Sequence, residues 1–232
     1  MKTLNIKKTL GVMSLLLVAG LAYQTSVNTN SSSTQNEKII HPMKNHAWVV
    51  EVGQDIVVDQ KFRNVPGNAD GSKFVTTGNE TYIAVGRKVH MYSISPKMDT
   101  EIGLKYINVG GKSHTGAFYV KLGYIPTWYD GDVYLEGAVG MGIDYTNGQT
   151  VIDGDTTYTS TDDPKTMYSK IGVGTNFILY KDLVLNLGVG WASRSYDLKL
   201  EASNTTLNSL EQQTKSLDSN NIIGTVGLKY KF

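Results

Sequence analysis

From residue 46 onward the chain alternates between apolar and polar or small positions, segment after segment. The clearest run is VYLEGAVGMGIDY, Val133 to Tyr145. Val133, Leu135, Val139, Met141, Ile143 and Tyr145 fall on one side of an extended strand. Tyr134, Glu136, Ala138, Gly140, Gly142 and Asp144 fall on the other. LVLNLGVGWASR repeats the form, with Leu183, Leu185, Leu187, Val189 and Trp191 opposite Asn186, Gly188, Gly190, Ala192 and Arg194. In KIGVGTNFIL, Ile171, Val173, Thr175, Phe177 and Leu179 oppose Lys170, Gly172, Gly174 and Asn176. A period of two marks strands with two different faces.

Five further segments follow the rule. Trp48, Val50, Val52, Ile56 and Val58 oppose Glu51, Gly53, Asp55 and Asp59. Ile102, Leu104 and Tyr106 oppose Gly103 and Lys105, and Phe118, Val120, Leu122 and Tyr124 oppose Tyr119, Lys121 and Gly123. In residues 81–93 the adjacent Arg87 and Lys88 break the phase, and a bulge is expected there. TVGLKYKF is the eighth: Val226, Leu228, Tyr230 and Phe232 against Thr225, Gly227, Lys229 and Lys231. An even number of strands lets both ends lie on one side.

The links alternate in length. Long polar links follow the first, fifth and seventh strands, and a medium one, GGKSHTG, follows the third. Short links near Ser95-Pro96-Lys97, at YDGD and at YKD follow the others. All short turns then fall at one end and all longer loops at the other, the asymmetry of barrels that cross a membrane. The predicted fold is an all-β, eight-stranded antiparallel up-and-down transmembrane β-barrel. Closure is required because no backbone group can stay unpaired in hydrocarbon, and eight strands enclose only enough room for side chains. The inward charges Glu51, Asp55 and Glu136 are expected to pair with Lys105, Lys121 and Lys170. Trp48, Tyr92, Trp128, Tyr129, Tyr180 and Tyr230 gather at the short-turn end, where headgroups favour amphipathic rings. Tyr82, Tyr106, Tyr145, Tyr168 and Tyr196 are expected to form a second band at the long-loop end.

Before residue 46 the chain reads differently. Lys2, Lys7 and Lys8 precede a 12-residue apolar core, TLGVMSLLLVAG, too short to span a bilayer comfortably. Gly20-Leu21-Ala22 supplies small-x-small, so residues 1–22 read as a signal peptide cleaved after Ala22. Residues 23–45 are a polar, Ser/Asn/Thr-rich lead-in of flexible character, and the barrel occupies 46–232. Loss of the three signal lysines leaves 19 basic against 21 acidic residues, so a nucleic-acid partner is not expected. The 24 glycines and 14 tyrosines suit close-packed strands, and the absence of cysteine removes thiolate chemistry and disulfides.

The chain resembles the small eight-stranded outer-membrane barrels of Gram-negative bacteria, the group containing the OmpA transmembrane domain and OmpX. Thr225, Gly227, Tyr230 and Phe232 stand at the polar-x-Gly-x-x-aromatic-x-Phe spacing of that group's assembly signal. The resemblance implies recognition by the barrel assembly machinery and residence in the outer membrane, beside lipopolysaccharide. Long loops would be extracellular and termini periplasmic. It implies a monomeric, non-enzymatic barrel whose loops serve adhesion, envelope integrity or contact with host factors and meet an extracellular ligand; a small solute channel is the alternative.

Candidate chemistry is sparse, and no cofactor is implied. A lipid A-modifying enzyme would need Ser and His on one wall with an acid, yet Ser113 and His114 are adjacent and oppose each other in a strand. Asp153, Asp155, Asp162 and Asp163 crowd one loop without EF-hand spacing, which favours solvated acids over a calcium site. Leu207, Leu210 and Leu217 fit either a short helix over the barrel mouth or a strand continuing beyond the membrane.

Overall fold

The structure, a computed structural model, describes residues 46–90, 97–127, 131–204 and 209–232. The segments read as signal peptide and lead-in, with Tyr92, Trp128 and Tyr129, lie outside the described residues. Ten strands account for most of the rest: β1 (His46–Arg63), β2 (Glu80–His90), β3 (Met98–Val109), β4 (Ser113–Tyr124), β5 (Gly131–Asp144), β6 (Thr150–Asp153), β7 (Thr156–Ser160), β8 (Lys165–Tyr180), β9 (Leu183–Asn204) and β10 (Ser209–Lys231). All pairings are antiparallel. β1 to β5, β8, β9 and β10 pair in succession, and β10 pairs back onto β1 from Val49↔Lys231 to Arg63↔Asp218. This up-and-down ring of eight strands leaves no unpaired edge around its wall.

The alternation read from the sequence sorts the two faces of the ring. Outward stand Leu104 at 68% exposure, Val139 at 62% and Met141 at 73%, while inward Glu51, Asp55 and Glu136 are at 2% or less. Charge inside and grease outside invert the arrangement of a protein folded in water.

Several expectations need correction. β2 carries no bulge: its register to β1 and to β3 is unbroken. Lys88 turns inward onto two carboxylates, so only Arg87 faces out, opposite Trp48 and Ile102 near the short-turn end. The bulges instead fall at Val58 in β1 and Leu179 in β8. The medium link between β3 and β4 closes as a tight turn, with Gly110 and Gly111 at φ 55° and 74° and Lys112 N–H donating to Val109 O at 3.1 Å. Both positions need the left-handed region, which glycine enters at no steric cost.

The long links are not loose. The one after β5 folds into the β6–β7 hairpin, which pairs with the top of β9 from Thr156↔Asn204 to Ser160↔Leu200. β9 and β10 continue past the end of the ring, so the leucines around 210–217 lie on a strand, not a helix. Leu217 is buried and Leu210 exposed, as a strand's odd and even positions require.

Candidate functional site

Among the described residues the wall of the ring turns a dense set of acidic and basic side chains inward, and their geometry is that of a filled interior. Glu51 is a hub. One carboxylate oxygen takes Lys121 Nζ at 2.8 Å and Lys229 Nζ at 3.4 Å; the other accepts the Tyr82 hydroxyl at 2.6 Å and the Asn186 amide at 2.8 Å. Glu136 meets Lys105 at 2.6 Å, Lys170 at 3.7 Å and Lys121 at 4.0 Å. Asp55 holds Lys170 at 2.9 Å and accepts from the Thr225 hydroxyl at 2.5 Å. All six charges expected inside therefore meet, with Glu51–Lys121, Glu136–Lys105 and Asp55–Lys170 as their shortest pairings. Thr225, on the inner face of the terminal motif, joins them.

Seven further charges join them. Lys88 sits between Asp99 at 2.6 Å and Asp132 at 2.7 Å. Lys229 also reaches Glu101 at 2.8 Å. Toward the long-loop end, Arg194 Nε donates to Glu80 at 3.1 Å and Nη1 to the Thr115 hydroxyl at 2.8 Å. Sequence parity held the signal for most of these: Asp99 and Glu101 share the phase of Lys105, and Asp132 that of Glu136. Glu80 opens its strand just past a polar link, where the alternation has barely begun.

Tyrosines fill what the ions leave. Lys105 Nζ lies 4.4 Å from the centre of the Tyr82 ring, and Lys121 Nζ 5.0 Å from that of Tyr134. The inner glycines make room for these rings. A Cβ on Gly53 would come within 2.6 Å of Tyr82, and one on Gly227 within 2.7 Å of its hydroxyl. Gly227 of the terminal motif thus has a packing role in the folded ring. Tyr82, Tyr168 and Tyr196, expected in an outer band, are buried inside: the Tyr82 hydroxyl donates to Glu51, the Tyr168 ring faces Arg194, and Tyr196 packs among the apolar side chains above the charges. Trp48, Tyr180 and Tyr230 do face outward, as do Tyr106 and Tyr145.

Above the charges the links build an apolar cap. Phe74, Val75, Val151, Tyr196, Leu198, Leu200 and Leu217 pack together, flanked by Phe62, Val65, Ala69 and Tyr158. Loop acids tie it down. Asp144 accepts the Thr76 N–H at 2.7 Å, Asp153 that of Asn68 at 2.6 Å, and Asp163 that of Asn147 at 2.9 Å. Asp162 pairs with Lys199 at 2.8 Å on the outside, and that ammonium holds its carboxyl below the usual range. Asp153, Asp162 and Asp163 of the crowded loop are thus engaged with separate partners, and no group of three metal-binding side chains occurs among the described residues. Ser113 is buried inside, whereas His114 faces out and meets the Tyr106 hydroxyl. The wall separates them.

No family model and no curated protein matches the sequence. Solved structures it is similar to include three outer-membrane proteins. The outer membrane protease OmpT from Escherichia coli is 10% identical over 81% of this chain and 95% of its own, at TM-score 0.39. OprG from Pseudomonas aeruginosa is 13% identical over 81% and 96%, also at TM-score 0.39. E. coli outer membrane protein W is 11% identical over 82% and 100%, at TM-score 0.35.

Proposed function

We propose that the chain is a non-enzymatic, monomeric β-barrel of the Gram-negative outer membrane, an anchor that presents its long links at the cell surface for adhesion or contact with host factors. One observation carries this reading: every strand of the ring contributes exposed apolar side chains to a continuous outer girdle. Val52, Val85, Leu104, Leu122, Val139, Val173, Trp191 and Leu228 represent the eight strands in turn. In water this surface would drive aggregation; in lipid it is the matched face of a closed sheet. Arg87 fits because it stands by Trp48 near the short-turn end, where a long basic side chain reaches the headgroups.

The packed interior supports an anchor over the alternative of a solute channel, since Tyr119, Lys105 and Glu51 occupy the lumen with almost no accessible surface. The short-turn end, with both described termini, suits the periplasm; Phe232 N–H there donates to Trp48 O at 2.9 Å. Thr225, Gly227, Tyr230 and Phe232 would serve the assembly machinery before they close the ring. The test is electrophoresis of the membrane fraction with and without boiling. A folded band that shifts on heating supports a closed barrel. A soluble protein with no shift overturns the reading.

A further inference from the structure

Beyond the ring, β10, β9, β7 and β6 form a four-stranded sheet, and its two edges are treated differently. On the β6 side the 64–79 link is tied in, with Asn68 N–H bonded to Asp153 and the Gln149 amide donating to Lys73 O at 2.6 Å. On the other side β1 stops at Arg63, opposite Asp218. Ser209 to Leu217 then pair with β9 alone among the described residues. Nine residues leave a bare edge of roughly 30 Å along the strand. It holds no proline, and its polar groups are the kind a further strand pairs with.

The order of charges on this edge selects an occupant. Glu211 and Lys215 lie four residues apart on one face, with Gln213 midway. Antiparallel pairing of the edge with itself, about a two-fold axis at Gln213, sets Glu211 of each copy opposite Lys215 of the other. Gln212 then faces Thr214, and Gln213 its own copy. Two copies in one membrane run β10 in the same direction, so their edges would meet as parallel strands. In register, that sets Glu211 against Glu211 and Lys215 against Lys215. Copies in two facing membranes run in opposite directions, which is the antiparallel case.

Resting on the surface role proposed above, we propose that the β10 edge, Ser209 to Leu217, joins a second copy of this chain in an opposing membrane by antiparallel strand addition. The barrel becomes a like-with-like adhesin whose partner is itself. Leu217 anchors the base of the edge in the apolar cap.

The test uses the full chain reconstituted in phosphatidylcholine vesicles, with clustering followed by light scattering. Wild-type vesicles should cluster. E211K alone, or K215E alone, sets like charges opposite each other twice and should lower clustering by about ten-fold. Vesicles bearing E211K mixed with vesicles bearing K215E should cluster again, since opposite charges then meet in both pairs. Dispersed wild-type vesicles that contain heat-modifiable protein overturn this inference and leave the anchor reading standing. Undiminished clustering by E211K alone also overturns it, and points to a partner surface other than this edge. Failure of any variant or wild type to enter vesicles as a heat-modifiable band would overturn the barrel reading and this one with it.

Discussion

Replacing Glu51 by Gln keeps the shape of the hub and removes its charge, which makes it the sharpest probe of whether the lumen is filled or wet. The carboxylate faces four donors, two of them ammonium groups, at 1% exposure. Removing one partner of a buried ion pair costs about 3–5 kcal/mol, because the remaining charge stays desolvated. Lys121 is then left with Glu136 at 4.0 Å and the Tyr134 ring, whereas Lys229 retains Glu101 at 2.8 Å. The loss is therefore expected to centre on Lys121. K121M should cost less than E51Q, since Lys229 at 3.4 Å stays with Glu51. The double variant E51Q/K121M should cost less than the two singles together, with a coupling of about 1–3 kcal/mol. Urea unfolding in lipid vesicles, followed by tryptophan fluorescence, measures all three. A single-variant cost below about 1 kcal/mol with additive effects would mean solvated charges. The interior would then hold a water path, and the channel would replace the anchor.

Leu187 faces outward on β9 beside Thr175 and Val226, so L187R should destabilise the barrel by about 2–4 kcal/mol if it lies at the bilayer midplane; an unchanged urea midpoint would refute a lipid-facing β9. Deletion of Phe232 removes the ring packed edge-on against Tyr230 and the bond to Trp48 O. Heat-modifiable protein in the membrane fraction should fall, and normal surface levels would refute a sorting role. Asp162 has its pKa lowered by Lys199, so the contact holds the β7–β8 link above the ordinary carboxylate range and is lost as pH falls through the lowered value. Carboxyl NMR of K199M should show the Asp162 midpoint rise; no change would refute the pairing.

The eight ring strands were legible because a two-sided wall writes its period into every segment. Lys105, Lys121, Lys170, Glu51, Asp55 and Glu136 stood out as charges on faces otherwise lined with glycine and tyrosine. Lys88 was hidden by its neighbour Arg87, since adjacent charges mimic a broken phase unless one knows that Asp99 and Asp132 wait inside. Tyr82 and Tyr168 misled for a related reason. An aromatic ring suits either face of a strand, and for Tyr82 it is Gly53 and Gly227 that leave space on the inner one.

The sequence by itself determined the outer and inner faces at most ring positions, and that the strands must close, because alternation is a local property of each strand. Tertiary structure alone decided what each inward charge meets, for Glu51 and Lys121 are partners across 70 positions. It alone decided that the polar links are an ordered sheet with one covered and one open edge. Those outcomes depend on where β1 stops against β10 and on how the β6–β7 hairpin docks on β9, and register between distant strands leaves no periodic trace in either strand.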